Sequence, residues 1–190
     1  DGSSCVGTPT ETAGPFPADG TNRRDGSTVN VLDQTGVVRQ DLRTSFAGMT
    51  PVAEGVKLDL EIRIVDIGNS CAPLAGHALY LWHCDREGRY SLYDTSDSNY
   101  LRGVGISDAD GRIIFTTVFP GCYAGRWPHL HFEVFVSAEN AGNGSDSLLV
   151  SQFALGDAVC RSVYDADPAY AASKAALEAD VVVVNHHLFF

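Results

Sequence analysis

Val56-Lys57-Leu58-Asp59-Leu60-Glu61-Ile62-Arg63-Ile64 alternates apolar and charged residues without a break. Successive side chains of an extended chain point to opposite faces, so this stretch carries an aliphatic row on one side and a charged row on the other. That is the pattern of a half-buried β-strand. Working outward, further strands are predicted at 77–84, 112–119, 129–137 and 148–155, separated by clusters of Gly, Asp, Asn and Ser. Short strands at such spacing predict a mainly β protein built as an antiparallel β-sandwich. Upstream, residues 1 to about 50 are rich in Gly, Pro, Thr, Asn and Asp and read as an extended N-terminal arm of turns wrapping the sandwich. Downstream, 140–146 reads as a polar hairpin loop and 166–179, with Pro168 near its start, as one short helix near the C-terminus. Residues 181–190 read as a closing strand. No repeat or linker divides the chain, so the expectation is a single domain over 1–190, with 1–50 as arm and 51–190 as core.

The chain has 190 residues, 44% of them hydrophobic, enough to bury a substantial core. Its net charge is −11, and only two of its thirteen basic residues are lysines. That balance argues against nucleic acid and anionic membrane surfaces as partners and favours small molecules. No apolar run approaches the roughly 18 residues of a membrane-spanning helix. Five cysteines (Cys5, Cys71, Cys84, Cys122, Cys160) are many for a cytosolic protein, and none forms a Cys-x-x-Cys pair. They predict an exported, extracellular protein with one or two disulfides, its targeting segment lying outside this sequence. Connectivity is open; the favoured pair is Cys84 with Cys122, which flank Tyr90 and Tyr123.

Candidate chemistry concentrates in Gly88-Arg-Tyr90, Pro120-Gly-Cys-Tyr123 and Arg126-Trp-Pro-His-Leu-His131. On a strand, His129 and His131 present both imidazoles on one face while Leu130 and Phe132 turn to the core. Such a pair alone suits zinc, copper or iron, or no metal at all. Gly88 and Gly121 mark turns able to aim Tyr90 and Tyr123 towards that strand. Two phenolates are hard, anionic donors that select Fe(III). The remaining histidines, His77, His83, His186 and His187, read as structural or exposed, and Trp82 reads as core.

These segments resemble the intradiol ring-cleavage dioxygenases, the family of protocatechuate 3,4-dioxygenase and catechol 1,2-dioxygenase. The similarity runs from Thr8-Pro-Thr-Glu-Thr-Ala-Gly-Pro-Phe16 through Leu81-Trp-His-Cys-Asp-Arg-Glu-Gly-Arg-Tyr90, Tyr100-Leu-Arg-Gly103 and Asp108-Ala-Asp-Gly111 to Pro120-Gly-Cys-Tyr123 and the histidine strand. The resemblance implies Fe(III) held by Tyr90, Tyr123, His129 and His131, with Tyr123 also acting as a proton acceptor. It implies that Arg126 stabilises negative charge on the substrate ring and that Gln152 orients Arg126 or the ring. Gly14 and Pro15 are implied as a lip over the substrate, with Tyr100 and Trp127 as further substrate contacts.

The implied reaction cleaves a catechol-type ring between its two hydroxylated carbons with O2, giving a cis,cis-muconate-type diacid. Only five residues separate Tyr123 from His129, where intracellular members carry longer loops, so a shallower pocket is expected. The Trp82-His-Cys-Asp85 run resembles the secreted branch, and a monomer or homodimer is expected. Two other readings stay open: a zinc hydrolase using the His-x-His pair, which needs a third His, Cys or carboxylate ligand, and a non-catalytic sandwich that binds aromatic or sugar ligands.

Overall fold

The computed structural model describes residues 5–123 and 125–178. Its strands are β1 (Asp19–Arg24), β2 (Ser27–Asn30), β3 (Lys57–Arg63), β4 (Val65–Asp66), β5 (Ala72–Pro73), β6 (Ala78–Trp82), β7 (Arg102–Ile106), β8 (Arg112–Val118), β9 (His129–Phe135) and β10 (Leu149–Ala154), followed by helices α1 (Asp157–Ala166) and α2 (Ala171–Glu178). The main sheet has the order β10-β9-β6-β7, all antiparallel. The alternating stretch forms β3, which pairs antiparallel with β8 from Lys57↔Val118 to Arg63↔Arg112. The fold is mainly β, with antiparallel sheets and short helices towards the C-terminus.

The core between the two layers follows from the pleat. Ile62, Ile113 and Phe115 of the β3–β8 pair meet Leu79, Leu81, Leu130, Phe132 and Val134 of the main sheet. The alternate residues of the same strands, Ala78, Tyr80 and Trp82, face the other way and lie under Ala18, Val31, Leu32 and Val37 from the first forty residues. Every residue of β9 is therefore buried: Leu130, Phe132 and Val134 between the sheets, and His129, His131 and Glu133 beneath the N-terminal arm. Its alternation of polar and apolar residues therefore separates two buried faces, not a buried face from a solvated one.

The N-terminal region is more structured than its composition predicts. Residues 19–30 form a hairpin whose turn has positive φ at Asp25 and Gly26, a pairing that suits the right-handed twist of the strands. Residues 37–42 then bridge the two layers, pairing Val38 with Val104 of β7 and Asp41 with Thr116 of β8. The first residues of the arm run along the edge strand β10, where the Glu11 N–H donates to the Val150 carbonyl and Ser151 Oγ to that of Pro9.

Two expectations are corrected. Within the helix predicted over 166–179 the chain forms a 3-10 turn at Pro168–Tyr170 and then α2, and a first helix, α1, precedes them at Asp157–Ala166, where none was expected. Asp167 is extended, as a residue before proline prefers, and its side chain accepts from the Ala169 N–H. The first helix was hidden because it buries only Cys160 and Tyr164.

The favoured disulfide is also overturned. Cys84 and Cys122 are free buried thiols, bonded to the carbonyls of Gly121 and Ser173 respectively, and Cys160 is free as well. The bridge joins Cys5 to Cys71 across 66 residues, tying the start of the arm to the β4–β5 region. The closing strand expected at 181–190 lies outside the described residues. Among the described residues no helix is long and apolar enough to cross a membrane.

Candidate active site

The histidine pair is set by register. His131 stands opposite Trp82 on β6 and Gln152 on β10, and its ring stacks on the Trp82 indole at 5.0 Å and 7°. His129 accepts no choice of tautomer: its Nδ1–H donates to the Trp127 carbonyl at 2.5 Å, which leaves the Nε2 lone pair free. That Nε2 lies 3.0 Å from Nε2 of His131. Two nitrogens bound at about 2.1 Å and roughly a right angle to one ion are about 3 Å apart, so the spacing fits a shared cation. Burial pushes the His129 imidazole down to about 4 and His131 well below its ordinary value, so both are neutral donors at physiological pH.

Tyr90 and Tyr123 reach the pair from two turns that touch each other. Gly88 has φ +82°, and a Cβ there would sit 2.7 Å from the Cys122 carbonyl oxygen, so only glycine lets the two backbones approach. The Tyr90 N–H donates to Asp94 Oδ2, and its carbonyl accepts from the Asp94 N–H. The resulting rings surround one point: Tyr90 to Tyr123 6.0 Å, Tyr90 to His131 6.3 Å, Tyr123 to His129 6.1 Å and His129 to His131 4.6 Å between centroids.

Tyr90 is 1% exposed and its buried hydroxyl makes no well-formed hydrogen bond. Such an orphan group costs about 1–3 kcal/mol unless a ligand satisfies it. Burial, then the Cys84 thiol and the Tyr123 hydroxyl, push this phenol well above its ordinary value; burial also raises Tyr123, opposed by the Tyr90 hydroxyl and then by the Arg126 charge. A cation between the rings is what would let both ionise.

Arg126 is half-buried and donates to Gln152 Oε1 at 2.6 Å. Gln152, 4% exposed, spends its own amide on the Thr12 carbonyl at 3.1 Å. The arm thus reaches the site: Gly14, at φ +69°, leaves room for a Cβ only 3.3 Å from His131 Cε1. Pro15 is exposed beside it, its carbonyl accepting from Asn22.

Tyr100 and Trp127 point elsewhere. The Tyr100 hydroxyl bonds to Asp85 and Thr95 and its ring packs with Ala53, Leu101 and Val118. The Trp127 indole donates to the Leu155 carbonyl and packs against the cluster of Phe119, Cys160 and Tyr164; its contribution to the site is the carbonyl that orients His129.

Three neighbours were not singled out from the sequence as site residues. Phe16 packs its ring on Tyr90 at 4.8 Å, Trp82 backs His131, and Arg102 lies fully buried behind Tyr90. Phe16 and Arg102 both lie inside quoted motif segments, which is the signal that was available. Glu133, on the histidine face, turns instead to the Asp19 carboxyl, and burial raises it to about 9. Among the described residues no group of three or more His, Cys, Asp or Glu is placed to hold a metal ion. His83 is structural, its two ring nitrogens bonded to the Cys84 carbonyl and Thr117 Oγ1, both at 2.7 Å.

A family model described as Dioxygenase matches residues 30–141, which include all four rings and Arg126, and the chain belongs to that family. Among solved structures it is similar to the intradiol ring-cleavage dioxygenase from Tetranychus urticae, with 22% identity and a TM-score of 0.63 over 88% of this chain and 72% of that one. It is also similar to the hydroxyquinol 1,2-dioxygenase from Pseudomonas putida DLL-E4, with 22% identity and a TM-score of 0.52 over 80% of this chain and 50% of that one. The dioxygenase domain of a dioxygenase carbohydrate-binding protein fusion from Streptomyces sp. SirexAA-E is 24% identical, with a TM-score of 0.50 over 77% of this chain and 73% of that one. The fold is thus that of the intradiol ring-cleavage dioxygenases. No curated protein matches the chain in sequence.

Proposed function

We propose that Tyr90, Tyr123, His129 and His131 hold Fe(III) and that the protein cleaves a catechol-type ring between its two hydroxylated carbons with O2, yielding a cis,cis-muconate-type diacid. The observation that carries this is the convergence of four rings around the 3.0 Å gap between the two Nε2 atoms. Ferric iron bound there supplies a Lewis acid that draws electron density from a catecholate and so activates the ring towards oxygen.

The chain's own residues then divide the remaining work. Tyr123, half-buried and within the field of Arg126, is the phenolate placed to take a proton from an incoming catechol hydroxyl. Tyr90, buried and pinned by Asp94, stays in place as the permanent anionic donor. Arg126, held by Gln152, offers a fixed positive charge to the electron-rich ring as oxygen attacks. Gly14 walls the site against His131, whereas Tyr100 and Trp127, turned into other clusters, act only on the framework. The Cys5–Cys71 bridge supports an extracellular setting. The partners are a small catechol and O2, and the working form is a monomer or homodimer.

The test is purification with metal retained, a visible spectrum, and oxygen uptake on adding catechol and protocatechuate. A tyrosinate charge-transfer band that shifts with catechol, with oxygen consumed and a muconate product formed, is the expected result. Catechol binding without oxygen uptake, or a protein that stays colourless when Fe(III) is supplied, overturns the proposal.

A further inference from the structure

Behind Tyr90 lies a second charged group that the ligand set does not use. Arg102, at the start of β7, is 0% exposed, and its guanidinium has five hydrogen-bond contacts, all with uncharged oxygens. Nη1 donates to the carbonyls of Phe16 and Pro17 and to the Tyr80 hydroxyl, at 2.9, 3.0 and 3.1 Å. Nε donates to Ser91 Oγ at 3.0 Å and Nη2 to the Ser91 carbonyl at 2.9 Å. None of the ion pairs among the described residues includes it. A buried guanidinium with no carboxylate opposite it is costly, so a chain that keeps one needs its fork, its charge or both.

We infer that Arg102 is a positioning residue of the metal-bearing site, clamping the arm at Phe16 and Pro17 to the turn that carries Tyr90 and setting the electrostatic environment of that ligand.

The geometry favours this over a framework role alone. The fork bonds to the arm, to β6 and to the Tyr90 turn at once, and Ser91, which takes two of its bonds, is the residue next to Tyr90. With the arm clamped, Phe16 presses on Tyr90 at 4.8 Å and the chain two residues earlier passes His131 at Gly14. No carboxylate is among the guanidinium's hydrogen-bond partners, and its Cζ lies 5.5 Å from the centroid of the Tyr93 ring, in the same turn as Tyr90. Fixed on the turn that carries Tyr90, this cation would be a counter-charge to an anionic Tyr90 ligand. This inference rests on the proposed iron site for its electrostatic part and stands without it for the clamp.

Two readouts separate the parts. In the metal-free protein, hydrogen exchange at residues 12–18 is compared for wild type, Arg102→Met, Arg102→Lys and the milder Ser91→Ala, which serves if Arg102→Met does not fold. Loss of charge-assisted bonds is expected to speed exchange in the arm by about tenfold in the Arg102 variants and less in Ser91→Ala. In the Fe(III)-loaded protein, the charge-transfer band is expected to move to longer wavelength in Arg102→Met, whose phenolate has lost a positive neighbour, and to stay near its wild-type position in Arg102→Lys and Ser91→Ala.

Unchanged exchange in folded variants overturns the clamp. A loosened arm with an unmoved band in Arg102→Met reduces Arg102 to framework and overturns the electrostatic part. Absence of any band in wild type sinks the iron reading, and the electrostatic part with it, while the exchange rates still decide the clamp.

Discussion

Gln152 stands directly opposite His131 on the neighbouring strand and accepts a 2.6 Å hydrogen bond from Arg126. The arginine follows Tyr123 by three residues and leads His129 by three, so its side chain is braced from the strand beside His131 while its backbone links Tyr123 to His129. Replacing Arg126 with Met should lower kcat by about 10²–10³, the usual cost of removing a preorganised charge from a developing anion. Gln152→Ala should cost about tenfold, since the arginine remains but is no longer held. Both variants should keep the iron chromophore, and steady-state oxygen uptake with a parallel visible spectrum checks this; loss of colour in either would move the residue from catalysis to metal binding.

Tyr90→Phe should have opposite effects on the metal-free and metal-loaded proteins. It deletes a buried hydroxyl that lacks a partner, so the metal-free form should gain about 1 kcal/mol in denaturant unfolding. The same variant should fail to develop the tyrosinate band with Fe(III). Tyr123→Phe, which lies at the more open side, should weaken the band while leaving metal-free stability within about 0.5 kcal/mol.

Gly14→Ala should be poorly tolerated for its size. The residue has φ +69°, and the new methyl would stand 3.3 Å from His131. A loss of about 1 kcal/mol in stability is expected from the backbone alone. Catechol affinity, read by titration of the visible band, should fall as well, because the arm must back away from the histidine; an unchanged affinity would place the substrate elsewhere.

Breaking Cys5–Cys71 with serines should destabilise the fold by about 4 kcal/mol in the loop-entropy estimate for a loop of this length. Thiol titration of the intact protein should find three free cysteines, reactive only after unfolding, because Cys84, Cys122 and Cys160 are buried. A second bridge found by mass spectrometry would contradict this arrangement.

Stability of the metal-free protein should peak below neutrality and fall on either side of that maximum. His83 is lowered from 6.5 to about 4 by burial, so its contribution is intact above about pH 6.5 and is lost as pH falls to about 4. Glu133 is raised from 4.5 to about 9 by burial beside Asp19; its contribution is intact below about pH 4.5 and is lost as pH rises to about 9. Thermal melts across this range should show both limbs, with Glu133→Gln flattening the alkaline one and His83→Gln the acidic one.

The strand at Lys57–Arg63 was legible because one of its faces meets water, and charged residues record that face. The hairpin at 19–30 carried an Asp25-Gly26 turn signal that was available and outweighed by the polar composition around it. The first helix was not legible: its apolar contacts are few and its partner surface, around Phe119 and Cys122, is built by residues some forty positions earlier. Cysteine pairing failed for the same reason, since sequence proximity to the tyrosines says nothing of where the sulfurs end up.

Residue chemistry and strand periodicity alone determined the mainly β class, the pairing of His129 with His131 on one face and the candidacy of the two tyrosines. Local alternation and donor type are properties of the residues themselves. Tertiary structure decided which outlying side chains join them: Gln152 opposite His131, Phe16 on Tyr90, Arg102 behind it, with Tyr100 and Trp127 turned away. Those placements depend on sheet order and on where a long arm lies, contacts between residues up to about 140 positions apart, such as Gln152 with Thr12. Short-range patterns do not encode them.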